Sequence, residues 1–190
     1  MSYINIINIH SSGNQSINHD KNCINPQETW RKPPESWIKI NIDASFRTNN
    51  TNAGFALIAR DSTGRFLAAM AYSTRARDVN QAEALVMLRA LHWIKEMQFQ
   101  RVVIEGDNWL VINSCNGSVE GFKWEDQNII KECQDFLQKL ESCQVTFQKR
   151  SCNIATDKLA KLARTSIRYQ IRLEEPPNVI ASILAAESKN

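Results

Sequence analysis

Four acidic residues of this chain could together perform metal-dependent chemistry. They are Asp43, Glu83, Asp107 and Asp157. Like charges about 4 Å apart repel by roughly 4 kcal/mol at an effective dielectric near 20, so a fold that clusters such acids needs a compensating cation. Carboxylate oxygens suit Mg²⁺, and clustered acids that hold Mg²⁺ suit phosphoryl chemistry. The set therefore predicts a divalent-metal centre.

The four acids stand at distinct points of the predicted secondary structure. Asp43 ends the apolar alternation of Ile38, Ile40 and Ile42, which is typical of a strand. Glu83 interrupts an otherwise apolar helical stretch. Asp107 directly follows the short β-branched run 101–106, and Asp157 lies near the start of a further helical stretch. Acids at the ends of separate elements meet only if the fold brings those ends together.

Each acid also has a local structural explanation. Asp43 fits the polar face of a strand, although Asp is disfavoured in strands. Glu83 fits the third position of a capping box whose N-cap is Asn80. The third acid, or Asn108 after it, fits a helix cap, and Asp157 fits the favourable end of a helix dipole. The four acids taken together, in this order, favour the metal centre.

The composition is that of a globular protein with little charge bias. The chain has 190 residues, 43% of them hydrophobic and 23% charged, and a net charge of +3. No apolar run approaches the roughly 18–20 residues of a membrane span. The cysteines are odd in number and show no C-x-x-C spacing, which favours free thiols: Cys23, Cys115, Cys133, Cys143 and Cys152. We expect a soluble intracellular monomer, in either the nucleus or the cytoplasm.

The chain divides into three parts. Residues 1–34 are rich in Asn, Ser, His and Gln and end at a Pro-Pro pair, which predicts a disordered leader. Residues 35–168 form the predicted domain, and residues 169–190 form a loosely attached C-terminal extension. Within the domain we predict strands over 37–46, 53–59, 65–73, 101–105 and 144–149, and helices over 82–94, 108–116, 124–140 and 153–167.

This order of elements predicts an α/β fold. Three strands in hairpin succession, followed by two strands joined through helices, give a five-stranded mixed sheet. The first three strands are antiparallel, the last two are parallel, and helices cover both faces. Ligands of such sheets bind beyond the strand ends, near a switch in strand order, which is where Asp107 is placed.

Five sequence segments carry a resemblance to a known family. They are Ile40-Asn-Ile-Asp43-Ala-Ser, Ala53-Gly-Phe-Ala-Leu-Ile-Ala-Arg-Asp61 with Gly64, Ala82-Glu83-Ala-Leu, Val103-Ile-Glu-Gly-Asp107, and Arg150-Ser-Cys-Asn153-Ile-Ala-Thr-Asp157-Lys-Leu-Ala160. Over about residues 36–165 the chain resembles type 1 ribonuclease H domains. It is most similar to the RNase H-like domains that are abundant in plant genomes and related to retroelement reverse transcriptases.

The resemblance implies an RNase H-like fold and a two-metal hydrolase. The family's four metal-binding acids fall on the four acids named above, which would hold two Mg²⁺ ions, with Mn²⁺ as a substitute. The family cleaves the RNA strand of RNA–DNA hybrids and leaves 5′-phosphate and 3′-hydroxyl ends. The nearest positions for substrate contacts are Ala44, Asn108 and Asn153. RNA is distinguished by its 2′-hydroxyls, which are read in the shallow minor groove.

Three departures from the family pattern support a second hypothesis. Phe147 stands where many members have a histidine before the last helix, Ala44 stands in place of a glycine, and Thr156 replaces a small alanine. No basic protrusion for gripping a hybrid is evident. The alternative is a weakly active or inactive module, derived from a retroelement, that binds nucleic acid or protein.

Some apolar residues are expected to be structural. Trp93, Trp109 and Trp124 could stack on nucleic-acid bases, but in apolar helices we predict them to be core residues, since aromatic side chains dominate protein cores. In the basic run 158–164 we predict that Leu159 and Leu162 point inward and that the charged side chains are solvated.

Overall fold

The computed structural model describes residues 29–48, 50–165 and 170–189. Its elements are β1 (Ile38–Arg47), β2 (Asn50–Arg60), β3 (Phe66–Arg75), α1 (Val79–Glu96), β4 (Val102–Gly106), α2 (Trp109–Cys115), α3 (Trp124–Lys139), β5 (Cys143–Phe147), a short 3₁₀ helix (Arg150–Cys152), α4 (Ile154–Thr165), β6 (Gln170–Leu173) and α5 (Asn178–Glu187). The predicted order of strands and helices is therefore confirmed from β1 to α4.

The strands form one mixed sheet in the order β5-β4-β1-β2-β3-β6. Strands β1, β2 and β3 are antiparallel neighbours, while β4 and β5 extend the sheet in parallel beyond β1. This confirms the α/β architecture. The sheet has six strands and not five, because the C-terminal strand β6 pairs with β3.

Helices cover both faces of the sheet, as predicted. On one face α1 packs over β1 and β2, with Leu91 and Trp93 fully buried. On the other face α4 packs over β1, β2 and β3, and α5 packs beside α4. Strand β1 serves both faces, because Ile40 and Ile42 enter the larger core while Lys39 and Asn41 point the opposite way.

Helix α1 begins earlier than the sequence pattern predicts. Its N-cap is Asp78, whose side chain accepts a hydrogen bond from the Gln81 backbone amide. The predicted capping box between Asn80 and Glu83 is therefore wrong. A cap two residues earlier leaves the Glu83 carboxylate without a capping role, and this strengthens the case that it has a function.

The C-terminal segment is part of the domain and not a loose extension. Strand β6 adds to the sheet edge, and Ile180 and Leu184 of α5 are buried against α4. The apolar face of α5 supplies the burial that holds the segment against α4.

A buried polar network joins the two ends of the described chain. The Arg60 guanidinium lies over the Trp30 ring at 3.5 Å and forms an ion pair with Glu187 at 2.5 Å. Asn41 accepts hydrogen bonds from both Trp30 and Arg60, each 2.8 Å long. Since Trp30 is 1% exposed, the ordered part of the domain includes residues assigned to the leader. Residues 1–28, where the rest of that leader was predicted, lie outside the described residues.

Glu187→Ala is expected to lower the free energy of unfolding by about 2–4 kcal/mol. The substitution leaves the Arg60 charge buried without its acidic partner, and a broken buried ion pair typically costs about 3–5 kcal/mol, less here because Glu187 ends a helix near solvent. Urea unfolding measures the effect. The double variant Arg60→Met/Glu187→Met should recover much of the loss, and exposed Glu175→Ala is the control. A change below about 0.5 kcal/mol would contradict this role of the pair.

Within the described ranges, no helix is long and apolar enough to cross a membrane. Four cysteines are free thiols, as predicted: Cys115, Cys133, Cys143 and Cys152. The fifth, Cys23, lies outside the described residues.

Candidate active site

Three of the four candidate acids meet at the end of the parallel strands. Each of Asp43, Glu83 and Asp107 offers a carboxylate oxygen, and these oxygens lie within 4.8 Å of one another. The register of the two parallel strands pairs Asn41 with Glu105, so Asp43 and Asp107 each come two residues further along adjacent strands. Helix α1 places the Glu83 carboxylate beside these two, within the first two turns of the helix.

The cluster is electrostatically strained in the absence of a cation. Burial and the negative charges of Asp107 and Asp157 raise the pKa of Asp43 to about 7. Burial, together with Asp43 and Asp107, raises the pKa of Glu83 well above its usual range, although the Ala44 backbone amide donates a hydrogen bond that opposes this. Burial also raises the pKa of Asp107, and nearby Arg150 partly offsets the effect. Three carboxyl groups with raised pKa values, two of them buried and Asp107 half-buried, fit a site for a hard divalent cation with oxygen ligands.

Asp157 lies beside the cluster but is not one of its three members. Its two carboxylate oxygens accept hydrogen bonds from Arg150 and Lys161, each 2.6 Å long. Burial acts to raise the pKa of Asp157, but these two hydrogen bonds and the accompanying positive charges outweigh burial and hold the pKa below its usual value. Asp157 is near enough to raise the pKa of both Asp43 and Asp107. Asp157 is the acidic residue that α4 contributes next to the cluster.

The three candidate substrate residues occupy different environments. Ala44 and Asn108 line the cavity over the carboxylates. Asn108 also caps α2, since its side chain accepts a hydrogen bond from the Val111 backbone amide at 3.1 Å. Asn153 is 2% exposed, and its side-chain amide donates to the Ile42 carbonyl at 2.8 Å. This bond ties the start of α4 to β1 beside Asp43, which makes Asn153 a positioning residue in this structure.

Basic side chains surround the carboxylates, and sequence reasoning missed them. The cavity has a volume of about 460 Å³, and its walls include the side chains of Arg47, Arg150, Lys161 and Arg164. Two of these basic residues lie four and seven positions after Asp157 on α4, a spacing that places them on one helix face with that acid. That spacing was the available signal. Leu162 of the same helix is 46% exposed and so does not point inward as predicted, whereas Leu159 is buried.

Two of the three tryptophans predicted to be core residues are at the surface. Trp93 is buried, as predicted, but Trp109 is 62% exposed and Trp124 is 77% exposed. The two exposed residues are the first residues of α2 and α3, where each helix starts at the edge of the packed layers. Phe147, at the position of the expected histidine, ends β5 and is also exposed.

The cation-free protein is expected to lose stability as pH rises from about 4 to above 7. The pKa of Asp43 is near 3.8 when unfolded and about 7 when folded, so the folded state holds a proton that the unfolded state has released. That contribution is complete below pH 4 and disappears as pH passes 7. Thermal unfolding in EDTA across this range measures it, and Mg²⁺ should restore stability at pH 8. Stability that rises steadily from pH 4 to 8 in EDTA would contradict the strain described above.

A family profile described as reverse transcriptase-like matches residues 41–163, which is more than half of the chain and includes all four acids. No curated protein matches the sequence significantly. Many solved structures share the fold.

RNase H1 from the archaeon Halobacterium salinarum NRC-1 is similar to the chain with a TM-score of 0.61 and 20% identity, covering 67% of this chain and 96% of that one. LC11-RNase H1, isolated from compost by a metagenomic approach and solved in complex with an RNA/DNA hybrid, has a TM-score of 0.61 at 19% identity, with coverage of 67% and 96%. The prototype foamy virus protease-reverse transcriptase gives 0.57 at 15% identity, covering 69% of this chain and 21% of the viral one. At these identities the likeness establishes an RNase H-like fold.

Proposed function

This chain belongs to the reverse transcriptase-like family, whose fold here is that of RNase H, and from that premise we propose that it is a divalent-metal-dependent endoribonuclease acting on RNA–DNA hybrids. The observation that carries the proposal is the convergence of the Asp43, Glu83 and Asp107 carboxylates within 4.8 Å. The hybrid bound in the structure of LC11-RNase H1 supports the same class of substrate. Mg²⁺ is the proposed cofactor, with Mn²⁺ as a substitute.

The carboxylates and the basic residues have separate tasks in this proposal. The three clustered acids hold the cation, and Asp157 is the proposed fourth ligand once it leaves Arg150 and Lys161. Bound divalent ions would activate a water and neutralise charge on the reacting phosphate and the departing oxygen. The basic residues of the cavity wall, including Arg164, attract the phosphate backbone of the substrate.

Recognition of the RNA strand is assigned to residues at the cavity mouth. Ala44 and Asn108 line the cavity, and we propose that backbone groups beside Ala44 and the side chain of Asn108 contact ribose 2′-hydroxyls. The Ala44 backbone N–H donates a hydrogen bond to the Glu83 carboxylate, so the same peptide links the cluster to the cavity wall. Asn153 acts indirectly in this proposal, because its hydrogen bond to the Ile42 carbonyl fixes the position of α4 relative to β1. A monomer suffices for this arrangement, because every proposed group comes from one chain.

The test is strand-specific cleavage. An RNA–DNA hybrid, an RNA duplex and a DNA duplex of one sequence, with either strand labelled, are incubated with the protein and Mg²⁺. The proposal expects cutting of the RNA strand of the hybrid alone, with 5′-phosphate and 3′-hydroxyl products. Equal cutting of the RNA duplex would refute specificity for hybrids, and cutting of the DNA strand would refute the proposed reaction.

Two observations favour the alternative of a weakly active or inactive binding module. Asp157 is neutralised by Arg150 and Lys161 in this structure, and Phe147 cannot transfer a proton. The similarity to the foamy virus protein supports a relation to retroelements, and such a relation is compatible with a binding module derived from one. Hybrid binding without turnover in either Mg²⁺ or Mn²⁺ would establish an inactive module, whereas turnover that requires Asp107 would exclude one.

A further inference from the structure

An exposed pair of aromatic rings lies beside the carboxylates, and the proposed hydrolysis does not use it. The ring centroids of Trp109 and Phe147 are 5.6 Å apart, and the ring planes meet at 84°. Their exposed fractions are 62% and 38%. Side chains of this size normally contribute most by being buried, so two of them exposed at one point indicate a contact surface.

The pair lies at the same carboxyl ends of the parallel strands as the clustered acids. Trp109 follows Asp107 by two residues, so their Cα atoms are at most about 7.6 Å apart. Phe147 is the register partner of Gly106 on the neighbouring strand, directly before that acid. Asn108, between the acid and the tryptophan, lines the carboxylate cavity. A polynucleotide whose phosphate lies over the acids therefore passes the aromatic pair within a few nucleotides, at about 3.4 Å of rise per nucleotide.

The shape of the pair favours a planar group with a free face. Two rings at nearly a right angle form a corner, in which a planar group can stack on one ring while its edge meets the face of the other. The planar groups of a polynucleotide are its bases. In a continuous double helix the faces of each base are covered by its neighbours, whereas bases in single strands, ends and loops can be splayed out and stacked on aromatic side chains.

Charge directs the strand to the corner. Arg150 follows Phe147 by three residues, on the 3₁₀ helix, and Lys161 and Arg164 lie on α4; all three line the carboxylate cavity. Phosphates held against these cations keep the strand beside the acids, where a neighbouring base is close to the corner. In the other edge-to-face ring pairs of the described residues, Phe55–Tyr72 and Trp93–Phe99, one ring is buried.

We propose that the corner formed by Trp109 and Phe147 binds an unpaired base next to the reacting phosphate, so that the protein prefers hybrids in which a single-stranded segment adjoins the paired RNA. This inference rests on the proposed function, because the base reaches the corner only when the carboxylate cavity, with its cation and its basic wall, holds the backbone beside it. The substrate class is a hybrid with a junction, and a continuous hybrid is the poorer ligand.

The experiment compares two hybrids of equal paired length, one blunt and one carrying a short single-stranded RNA extension. Dissociation constants are measured by fluorescence anisotropy with Mg²⁺ in the Asp43→Asn background, which prevents cutting. Stacking on an aromatic side chain contributes about 5- to 150-fold in affinity per base. Trp109→Leu keeps an apolar side chain without a ring and should weaken binding of the extended hybrid at least about fivefold, with the blunt hybrid unchanged. Trp109→Phe keeps a ring and should retain most of the affinity.

Controls separate this inference from the proposed function. Phe147→Leu should reproduce the loss for the extended hybrid, and Leu173→Ala, an exposed apolar residue at the opposite edge of the sheet, should change neither constant. Equal affinity of Trp109→Leu and the background protein for the extended hybrid would overturn the inference. So would an equal loss for both hybrids, because the contact would then be to the duplex. Failure of the folded wild-type protein to bind or cut either hybrid would instead overturn the proposed function.

Discussion

Asp43→Asn is expected to abolish hybrid cleavage while the protein stays folded. The substitution removes one of three carboxylates that converge within 4.8 Å, and with it part of the charge that holds the cation. Metal ions supply several kcal/mol of transition-state stabilisation, which at about 1.36 kcal/mol per tenfold corresponds to a loss of roughly 10³-fold or more. Initial rates with a labelled hybrid and saturating Mg²⁺ measure the loss.

The same variant should be more stable than the wild type when no cation is present, and the gain should depend on pH. The pKa of Asp43 is about 7, so at pH 8 the wild type carries a buried charge that asparagine lacks. We expect the free energy of unfolding in EDTA to rise by roughly 1–3 kcal/mol at pH 8 and by much less at or below pH 4, where Asp43 is protonated in the folded state and substantially protonated in the unfolded state as well.

Asp61→Asn is the matched control for this variant. This substitution also replaces a carboxylate with an amide, but in a turn outside the cavity. There the Asp61 carboxylate accepts hydrogen bonds from Thr63 and Arg65. We expect unchanged cleavage and slightly reduced stability. A folded Asp43→Asn protein that cuts at the wild-type rate would show that the cluster is not catalytic.

Gly54→Ala is expected to cost more than about 3 kcal/mol of stability and to displace α4 from the sheet. A Cβ atom at residue 54 would lie 2.1 Å from the Ala160 carbonyl oxygen and 2.2 Å from the Arg164 backbone nitrogen. Both atoms belong to the backbone of α4, so no change of side-chain conformation relieves the overlap. Overpacking of this kind costs about 1–3 kcal/mol where neighbours can adjust, and more where they cannot.

Loss of the close approach should also impair the site, because α4 carries Asp157 and Lys161. Urea unfolding and hybrid cleavage on the same preparation measure both effects. Gly117→Ala is the control, since its added Cβ would be 3.4 Å from the Asn113 carbonyl, an ordinary contact. A change in unfolding free energy for Gly54→Ala as small as that for the control would show that α4 does not need this approach.

Most of the fold and the three clustered candidate acids follow from the sequence. Alternation in β1 places Asp43 at a strand position, the short β-branched run ends at Asp107, and an acid within the apolar helix α1 is unusual enough to notice. A glycine inside a strand signals a close backbone approach, so the tight contact at Gly54 was also readable. These are local patterns with a direct structural consequence.

What the sequence could not provide depends on contacts between distant residues. Trp30 looks like part of a polar leader, and only the arrival of Arg60 and Glu187 from elsewhere in the chain explains its burial. The surface position of Trp109 depends on where α2 meets the sheet edge. The ion pairs of Asp157 likewise require Arg150 to turn back toward α4 through the 3₁₀ helix.

The most direct test of the proposed function is the rate at which the folded wild-type protein cuts the RNA strand of a hybrid as the Mg²⁺ concentration is raised from zero. The carboxylate cluster predicts no cleavage in EDTA and a rate that rises with Mg²⁺ to a plateau, with the DNA strand left whole. An RNA strand that stays intact at every Mg²⁺ concentration, and again with Mn²⁺, would contradict the assignment of a hydrolytic centre to Asp43, Glu83 and Asp107.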